Sequence, residues 1–243
     1  MESFDDYYPE LITALNQGTS IQTVIAIFEK KIDEFYFPNT EILVHSKIRY
    51  ELVDVTNDGV PEILLPGSIS DQPNAIILGC HEGEYRMFYS RNYDTAKRIY
   101  FMPVDANRNG INEIILVKES GTATGSWIEL SVIEWHIDSF HEILTDDYSS
   151  SVFQLVMVND LDNDNTKEIF WRFGAYIYSF PPWRRGTITY KWNGEKFVAL
   201  PLEYDPVQYR FQATQDGDRA ITNGNFSNAQ SLYQEAIFNQ DLE

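Results

Sequence analysis

The nine residues Asp160-Leu-Asp-Asn-Asp-Asn-Thr-Lys-Glu168 have two close counterparts elsewhere in the same chain. They are Asp54-Val-Thr-Asn-Asp-Gly-Val-Pro-Glu62 and Asp105-Ala-Asn-Arg-Asn-Gly-Ile-Asn-Glu113. The three segments begin at residues 54, 105 and 160, at intervals of 51 and 55 residues. An apolar run typical of a strand follows each segment at once, so the sequence predicts a structural unit of about 50 residues that occurs three times.

Each repeat also contains a second hairpin downstream of its acidic segment. In the third repeat, Asn193-Gly194 separates Tyr190-Lys-Trp192 from Lys196-Phe-Val198, and Asn-Gly is a strong signal for a two-residue hairpin turn. Corresponding turns are expected at Glu82-Gly83 and near Asp138-Ser139. Two hairpins give four strands in about fifty residues, which is the size of one propeller blade. The sequence therefore predicts a mainly β fold of three four-stranded, propeller-like blades in an open arc, with flanking α-helices.

Helical patterns lie on both sides of this β region. Before it, Leu11, Ile12 and Leu15 form an apolar stripe, and a second helix is expected to begin behind a Thr19 cap. After Pro201 the composition again becomes polar and helical. The predicted domains are an N-terminal helical segment over residues 1–40, a three-blade β domain over 41–203 and a C-terminal helical segment over 204–243.

The acidic segments have the spacing of a loop that binds a hard divalent cation. Calcium takes about six to eight oxygen ligands, and a tight loop supplies them from its first, third and fifth side chains, its seventh carbonyl and a carboxylate at its ninth residue. The sixth residue has to turn sharply, and here it is Gly59, Gly110 or Asn165, the residue types that accept positive φ most readily. The pattern predicts structural calcium in these loops.

The number of carboxylates ranks the three candidate sites. The third segment supplies four, the first three and the second two. Four carboxylates at close range would repel one another without a cation, so the third segment is expected to be the strongest site. The candidate ligands are Asp160, Asp162, Asp164, the Thr166 carbonyl and Glu168 in the third segment, Asp54, Thr56, Asp58, the Val60 carbonyl and Glu62 in the first, and Asp105, Asn107, Asn109, the Ile111 carbonyl and Glu113 in the second.

The same residue types also permit loops without an ion. Asp and Asn side chains that accept nearby backbone N–H groups form Asx turns between strands. In that alternative, the leading Asp accepts backbone hydrogen bonds and the closing Glu faces solvent. It accounts well for the second segment and poorly for the four carboxylates of the third.

The pattern Asp-x-(Asp/Asn/Thr)-x-(Asp/Asn)-(Gly/Asn)-x-x-Glu, flanked by strands and repeated three times, resembles the FG-GAP and VCBS-type repeats of integrin-like β-propellers. The resemblance covers about residues 48–203. It implies a calcium-stapled blade that is generally non-enzymatic and serves adhesion or partner binding outside the cytoplasm. Propellers of this family commonly close with about seven blades, so three blades imply an open arc, a truncated piece or part of an oligomer.

The C-terminal segment resembles the second helix of a tetratricopeptide repeat in the spacing of Gly224, Phe226, Ala229, Tyr233, Ala236 and Ile237. The resemblance implies a helix pair that needs a neighbour to bury its faces. One alternative for the whole chain is therefore a metal-free intracellular scaffold that docks a partner through these helices.

The overall charge narrows the choice of partner. With 37 acidic and 18 basic side chains, the chain carries a formal charge of −19, which opposes binding to nucleic acid or to anionic lipid. No segment has the roughly 18 apolar residues of a membrane span, and the first residues lack the pattern of a signal peptide. The expected partner is another protein or a glycan. The family resemblance favours an extracytoplasmic location for a trimmed chain, and the cytoplasm is expected otherwise.

One further segment is a candidate ligand surface. Trp183, Arg184 and Arg185 combine an aromatic ring with two guanidinium groups, which suits a sugar ring or an acidic peptide. The four histidines and the single Cys80 show no convincing metal-binding or catalytic spacing. The expected function is therefore binding rather than catalysis, with a propeller-type hydrolase fragment as the enzymatic alternative.

Overall fold

The structure of this protein is a computed structural model that describes residues 8–36, 50–66, 74–93, 96, 98–122, 125–150, 156–173 and 184–243. The described residues form thirteen strands and four helices, so the predicted mainly β class with flanking helices is confirmed. The helices are α1 (Tyr8–Asn16), α2 (Ile21–Tyr36), α3 (Arg210–Thr222) and α4 (Phe226–Phe238). No helix in this part of the chain is long and apolar enough to span a bilayer.

The strands of the described chain form three antiparallel sheets, and within each sheet they are neighbours in chain order. Sheet 1 consists of β1 (Glu51–Val53), β2 (Glu62–Pro66), β3 (Asn74–His81) and β4 (Glu84–Asn92). Sheet 2 consists of β5 (Arg98–Val104), β6 (Glu113–Thr122), β7 (Gly125–His136) and β8 (Ser139–Ser150). Sheet 3 consists of β9 (Val156–Asn159), β10 (Glu168–Phe173), β11 (Gly186–Trp192) and β12 (Phe197–Ala199), with β13 (Glu203–Tyr204) also paired to β11. The sequence predicted four strands in each repeat, and each sheet contains one four-stranded meander.

The described residues fall into two compact units. Unit 1 lies within Met1–Gly121 and Glu129–Asp147 and contains α1, α2, sheet 1 and most of sheet 2. Unit 2 lies within Thr122–Ile128 and Tyr148–Glu243 and contains sheet 3, α3 and α4. The predicted domain limits at residues 40 and 203 follow changes of secondary structure and remain predictions.

Sheet 1 is buried on both faces because its central strands are apolar at consecutive positions. Along β2, Ile63 and Leu65 pack with helices α1 and α2, whereas Leu64 belongs to the core on the opposite face. Successive side chains of a strand point to opposite faces, so an unbroken apolar run buries both. On the second face, Leu64 and Ile77 share a core with Ile114 of sheet 2. Sheets 1 and 2 are therefore joined by a shared apolar core.

Helix α1 is tied to the edge strand of sheet 1 through a single side-chain amide. Asn16 Nδ2 donates to the Tyr85 carbonyl at 3.1 Å, and the Tyr85 N–H donates to Asn16 Oδ1 at 2.6 Å. An edge strand with open backbone groups is a template for pairing with another chain. The Asn16 side chain occupies both backbone groups of one such residue.

The cap of helix α2 differs from the one expected. The helix begins at Ile21, so the residue before it is Ser20 and not Thr19. Ser20 Oγ accepts the Thr23 N–H at 3.2 Å, which satisfies one of the free donors at a helix start.

In unit 2, helices α3 and α4 approach closely at a glycine. A Cβ atom on Gly217 would lie 2.6 Å from a ring carbon of Tyr233, so a side chain does not fit here without displacing the ring. Ala213, Ala236 and Leu242 form a small buried cluster in this part of the chain. Small residues therefore set how closely the two helices pack.

Replacing Leu64 with alanine tests the core shared by sheets 1 and 2. Leu64 is fully buried, and truncation of such a side chain costs about 2–5 kcal/mol of unfolding free energy. Leu52, on the neighbouring strand, is 41% exposed, so Leu52→Ala is the matched control and should cost less than about 1 kcal/mol. Urea denaturation measures both variants, and equal losses would contradict this packing.

Candidate metal centres

The three acidic segments share one backbone path. We name them loop 1 (residues 54–62), loop 2 (residues 105–113) and loop 3 (residues 160–168). In each loop the fourth and sixth residues adopt the left-handed conformation, with φ between 60° and 89°. The sequence predicted a sharp turn at the sixth residue and missed the one at the fourth. The six residues are Asn57, Gly59, Arg108, Gly110, Asn163 and Asn165.

The first residue of each loop holds the bend together. Its carboxylate accepts backbone N–H groups from the fifth or sixth residue at 2.9–3.2 Å. This is the Asx-type turn that the ion-free alternative requires. The bonds run from Asp58 and Gly59 to Asp54, from Gly110 to Asp105, and from Asp164 and Asn165 to Asp160.

The ninth residue of each loop is buried, and its carboxylate reaches back over the bend. Glu62 and Glu113 are fully buried, and Glu168 is 3% exposed. One oxygen of each accepts the N–H of the second loop residue at 2.6–2.8 Å, the donors being Val55, Ala106 and Leu161. The ion-free alternative expected this Glu to face solvent, and that expectation is wrong. The first and ninth residues therefore close every loop by hydrogen bonds to its own backbone.

The loops differ in the residue that faces the closing Glu from the next strand. Ile63 of β2 pairs with Leu78 of β3, so the next position along both strands places Gly79 opposite Glu62 of loop 1. The same step on the β10–β11 ladder places Lys191 across from loop 3. At loop 2 the residue is Glu134 of β7, which interacts with the carboxyl group of Glu113. None of these three residues belongs to the predicted ligand sets.

Loop 1 receives no polar side chain from the position of Gly79. A Cβ atom there would lie 1.9 Å from the ring of Phe88, so the ring covers this part of β3. Thr56 Oγ1 donates to Glu62 Oε1 at 3.3 Å. Burial raises the pKa of Glu62, against the lowering effect of the Val55 N–H group. Both oxygens of Glu62 thus have protein donors.

Loop 2 gains a third carboxylate from Glu134, which is 4% exposed. Its Oε2 atom accepts hydrogen bonds from Asn107 Nδ2 at 2.6 Å and Asn109 Nδ2 at 2.7 Å. Its Oε1 atom lies 2.7 Å from His136 Nε2. Asn107 and Asn109, the third and fifth residues of the loop, therefore bind the carboxylate of Glu134. The acidic groups at loop 2 thus include one that lies outside its nine residues.

The two buried carboxyl groups of loop 2 oppose each other's ionisation. Burial and the neighbouring Glu134 raise the pKa of Glu113. Burial alone would raise the pKa of Glu134 as well, but hydrogen bonds from Glu113, Asn107 and Asn109 lower it. Folding therefore favours the protonated form of Glu113 and the ionised form of Glu134.

One carboxylate oxygen of loop 2, Asp105 Oδ1, is buried without a hydrogen-bond donor. Such atoms normally have a partner, and a bound cation is one way to provide it. The oxygens offered here are carboxylate oxygens, a donor type that calcium prefers, whereas Asn107 and Asn109 present their amide nitrogens to Glu134. The residues of loop 2, together with Glu134, therefore fit a hard divalent cation.

Loop 3 brings three carboxylates within 4.8 Å of one another, those of Asp160, Asp162 and Glu168. The ammonium group of Lys191 contacts Asp162 and lies 2.9 Å from Asp164 Oδ2. A hydrogen bond from Thr166 and the contact with Lys191 lower the pKa of Asp164 to about 2. The carboxylate count from the sequence thus overstates the net negative charge of this loop, because it omits a cation from β11.

Loops 1 and 2 lie next to each other in unit 1. Asn112 Nδ2, from the eighth position of loop 2, donates to the Asp54 carbonyl of loop 1 at 3.1 Å. The two loops therefore meet at the same end of sheets 1 and 2.

The candidate ligand surface is described in part, since Trp183 lies outside the described residues. Arg184 pairs with Asp216, and its guanidinium lies 5.2 Å from the centre of the Tyr204 ring. Arg185 is exposed. The ligand-surface interpretation remains a prediction, and Arg184 already has partners within unit 2.

Comparison with known proteins gives no relative. No protein-family model matches the chain, and neither a curated protein nor a solved structure is significantly similar to it. The resemblance to FG-GAP and VCBS-type repeats therefore rests on the repeated loops.

Raising the pH in the presence of a chelator is expected to destabilise loop 2. A carboxyl group whose pKa is raised by folding stabilises the fold fully below its ordinary pKa of 4.5 and loses that contribution as the pH rises through its folded value. Glu113→Gln removes this titration, so its unfolding free energy should rise relative to wild type between about pH 5 and about pH 8. Urea denaturation across this range measures the difference, and a difference that does not depend on pH would contradict the prediction.

Proposed function

We propose that this protein is a non-catalytic binding module whose strand-connecting loops hold structural calcium and whose sheets are blades of an open, propeller-like arc. Three successive meanders, each with a loop of the same backbone path before its second strand, support the proposal. The proposed partner is another protein or a glycan.

The observation that carries the calcium proposal lies in loop 2. Asp105 Oδ1 is buried without a donor, and the buried carboxyl groups of Glu113 and Glu134 interact with each other at the same loop. Leaving a buried polar atom unsatisfied costs about 1–3 kcal/mol, and one divalent cation can satisfy several such atoms together. We therefore take loop 2 as the principal site. Loop 1 is the weaker one, because protein donors already serve both oxygens of Glu62.

The proposed role of the ion is structural. An ion in loop 2 would stabilise the end of sheet 2 at which Asn112 bonds to loop 1. A ligand that binds only the folded state adds stability that grows with its concentration, about 2.7 kcal/mol at a hundred times its dissociation constant. Calcium would in this way strengthen the junction between sheets 1 and 2.

Binding fits the carboxylates better than glycoside hydrolysis does. Retaining and inverting enzymes hold their two carboxyl groups about 5 Å or more apart across an open cleft. Glu113 and Glu134 are both buried and interact directly with each other. This pair is therefore suited to hold an ion or a proton rather than to flank a sugar.

A second candidate function is the docking of a partner protein through helix α4. Three large apolar side chains of this helix are strongly exposed, Phe226 at 70%, Ile237 at 64% and Phe238 at 74%. Exposed aromatic and aliphatic side chains on one helix are typical of a protein-binding surface. This candidate does not depend on calcium.

Titration calorimetry with calcium tests the principal proposal. Glu134→Gln removes one proposed ligand charge, so the affinity of loop 2 should fall by about tenfold or more. Wild type should also melt at a higher temperature in calcium than in chelator, and Glu134→Gln should lose most of that difference.

The matched control is Glu84→Gln, which removes the same charge from an exposed position of unit 1. It should bind calcium like wild type. Equal affinities for wild type and Glu134→Gln, or a melting temperature that calcium does not change, would contradict the proposal.

A further inference from the structure

Lys191 reaches loop 3 through the sheet and not through the loop sequence. It lies on β11, across the ladder from Glu168 at the start of β10. Its ammonium group contacts Asp162, lies 2.9 Å from Asp164 Oδ2 and 3.7 Å from Glu168 Oε1. A positive charge therefore already stands among the carboxylates that were predicted to surround calcium.

We propose that Lys191 is the resident cation of loop 3, so that loop 3 is closed by an ammonium group and takes up calcium only when that group is removed. The inference deepens the proposed function, since it assigns which loops of the same module take the ion. It makes Lys191 a specificity-determining residue for metal binding.

The comparison between loops supports this assignment. All three have the same left-handed turns and the same closing Glu, so the backbone does not distinguish them. The facing residue does, because it is Gly79 at loop 1, Glu134 at loop 2 and Lys191 at loop 3. Only the last of these brings a positive charge.

Electrostatics explains why the ammonium and a metal ion exclude each other. Lys191 and the carboxylates it touches attract, whereas an ammonium group and a divalent cation within a few ångströms of each other repel strongly. Calcium would have to displace the side chain from Asp162 and Asp164 before it could bind there. The lysine ammonium is a point charge at the end of a flexible side chain, so it can pair with the carboxylates of the loop without a fixed ligand geometry.

When Lys191 is replaced, loop 3 retains a buried carboxylate oxygen that can bind a cation. Glu168 Oε1 is buried without a hydrogen-bond donor, and the Glu168 side chain is only 4% exposed. Three carboxylates of the loop already lie within 4.8 Å of one another. Removal of the ammonium should therefore convert loop 3 into a calcium site.

The test is calcium calorimetry on the full chain with Lys191→Met, which keeps an unbranched stem and removes the charge. Lys191→Met should bind one more calcium per chain than wild type, and adding Glu168→Gln should abolish that extra site. Glu168→Gln alone should leave the wild-type stoichiometry unchanged. Lys167→Met, at the eighth position of the same loop, removes the same charge and should gain no site.

Thermal melting supplies a second measurement, and Lys191→Gln a second variant. Both Lys191 variants should melt lower than wild type in chelator and recover in calcium by more than wild type does. Failure of calcium to restore either variant, no extra site in Lys191→Met, or the loss of one wild-type site in Glu168→Gln would each overturn the inference.

The outcomes separate this inference from the calcium proposal for loop 2. If wild type binds no calcium but Lys191→Met binds one, the inference stands and the proposed function fails. If wild type loses a site in Glu134→Gln but Lys191→Met gains none, the proposed function stands and the inference fails.

Discussion

The structure depends on supplying acceptors to backbone N–H groups in a bend of nine residues. Two residues of each loop have positive φ, and along this path backbone N–H groups point to side chains of the same loop, those of Val55 and Ala106 at buried positions. The carboxylates at the first and ninth positions accept these amides in every repeat. A buried donor left unsatisfied costs about 1–3 kcal/mol, so the bonds from Val55 and Ala106 to the closing Glu contribute to folding whether or not an ion is bound.

The hydrogen bonds that close each loop can therefore be considered separately from ion binding. The first and ninth residues each use part of their capacity on the backbone, and what remains can serve a cation. How much remains depends on the facing strand, which offers Gly79, Glu134 or Lys191. In the proposed function, one loop design gives a weaker metal site, a stronger metal site or a loop closed by lysine, according to a single residue on the neighbouring strand.

The fold class, the repeat and the loop residues could be predicted because they are local patterns. Strand periodicity, the Asn193-Gly194 hairpin and the acidic spacing each lie within about a dozen residues. The facing residues could not be predicted, since Glu134 and Lys191 lie far along the chain from the loops that they contact. Their placement requires the register between neighbouring strands, which these local patterns do not fix. Counting charges within the loops alone therefore leaves out both the carboxylate that Glu134 adds to loop 2 and the ammonium group that Lys191 adds to loop 3.

The pairing of Arg184 with Asp216 could not be predicted from the sequence for the same reason. An arginine beside an aromatic residue looks like a ligand surface in sequence, but its acidic partner lies on helix α3. The cap of helix α2 was missed by one residue, because Thr19 and Ser20 are both good caps and the sequence does not choose between them. Local patterns thus predicted the helices, strands and loops, whereas contacts between these elements determine which charged groups face each loop.

A crystal structure of the full chain grown in calcium tests the central claim most directly, through the anomalous scattering of the bound ion. The account predicts a calcium peak at loop 2 with Glu134 among its ligands, and the ammonium group of Lys191 rather than a calcium peak at loop 3. A calcium peak at loop 3 with Lys191 turned away, together with an unliganded loop 2, would contradict it.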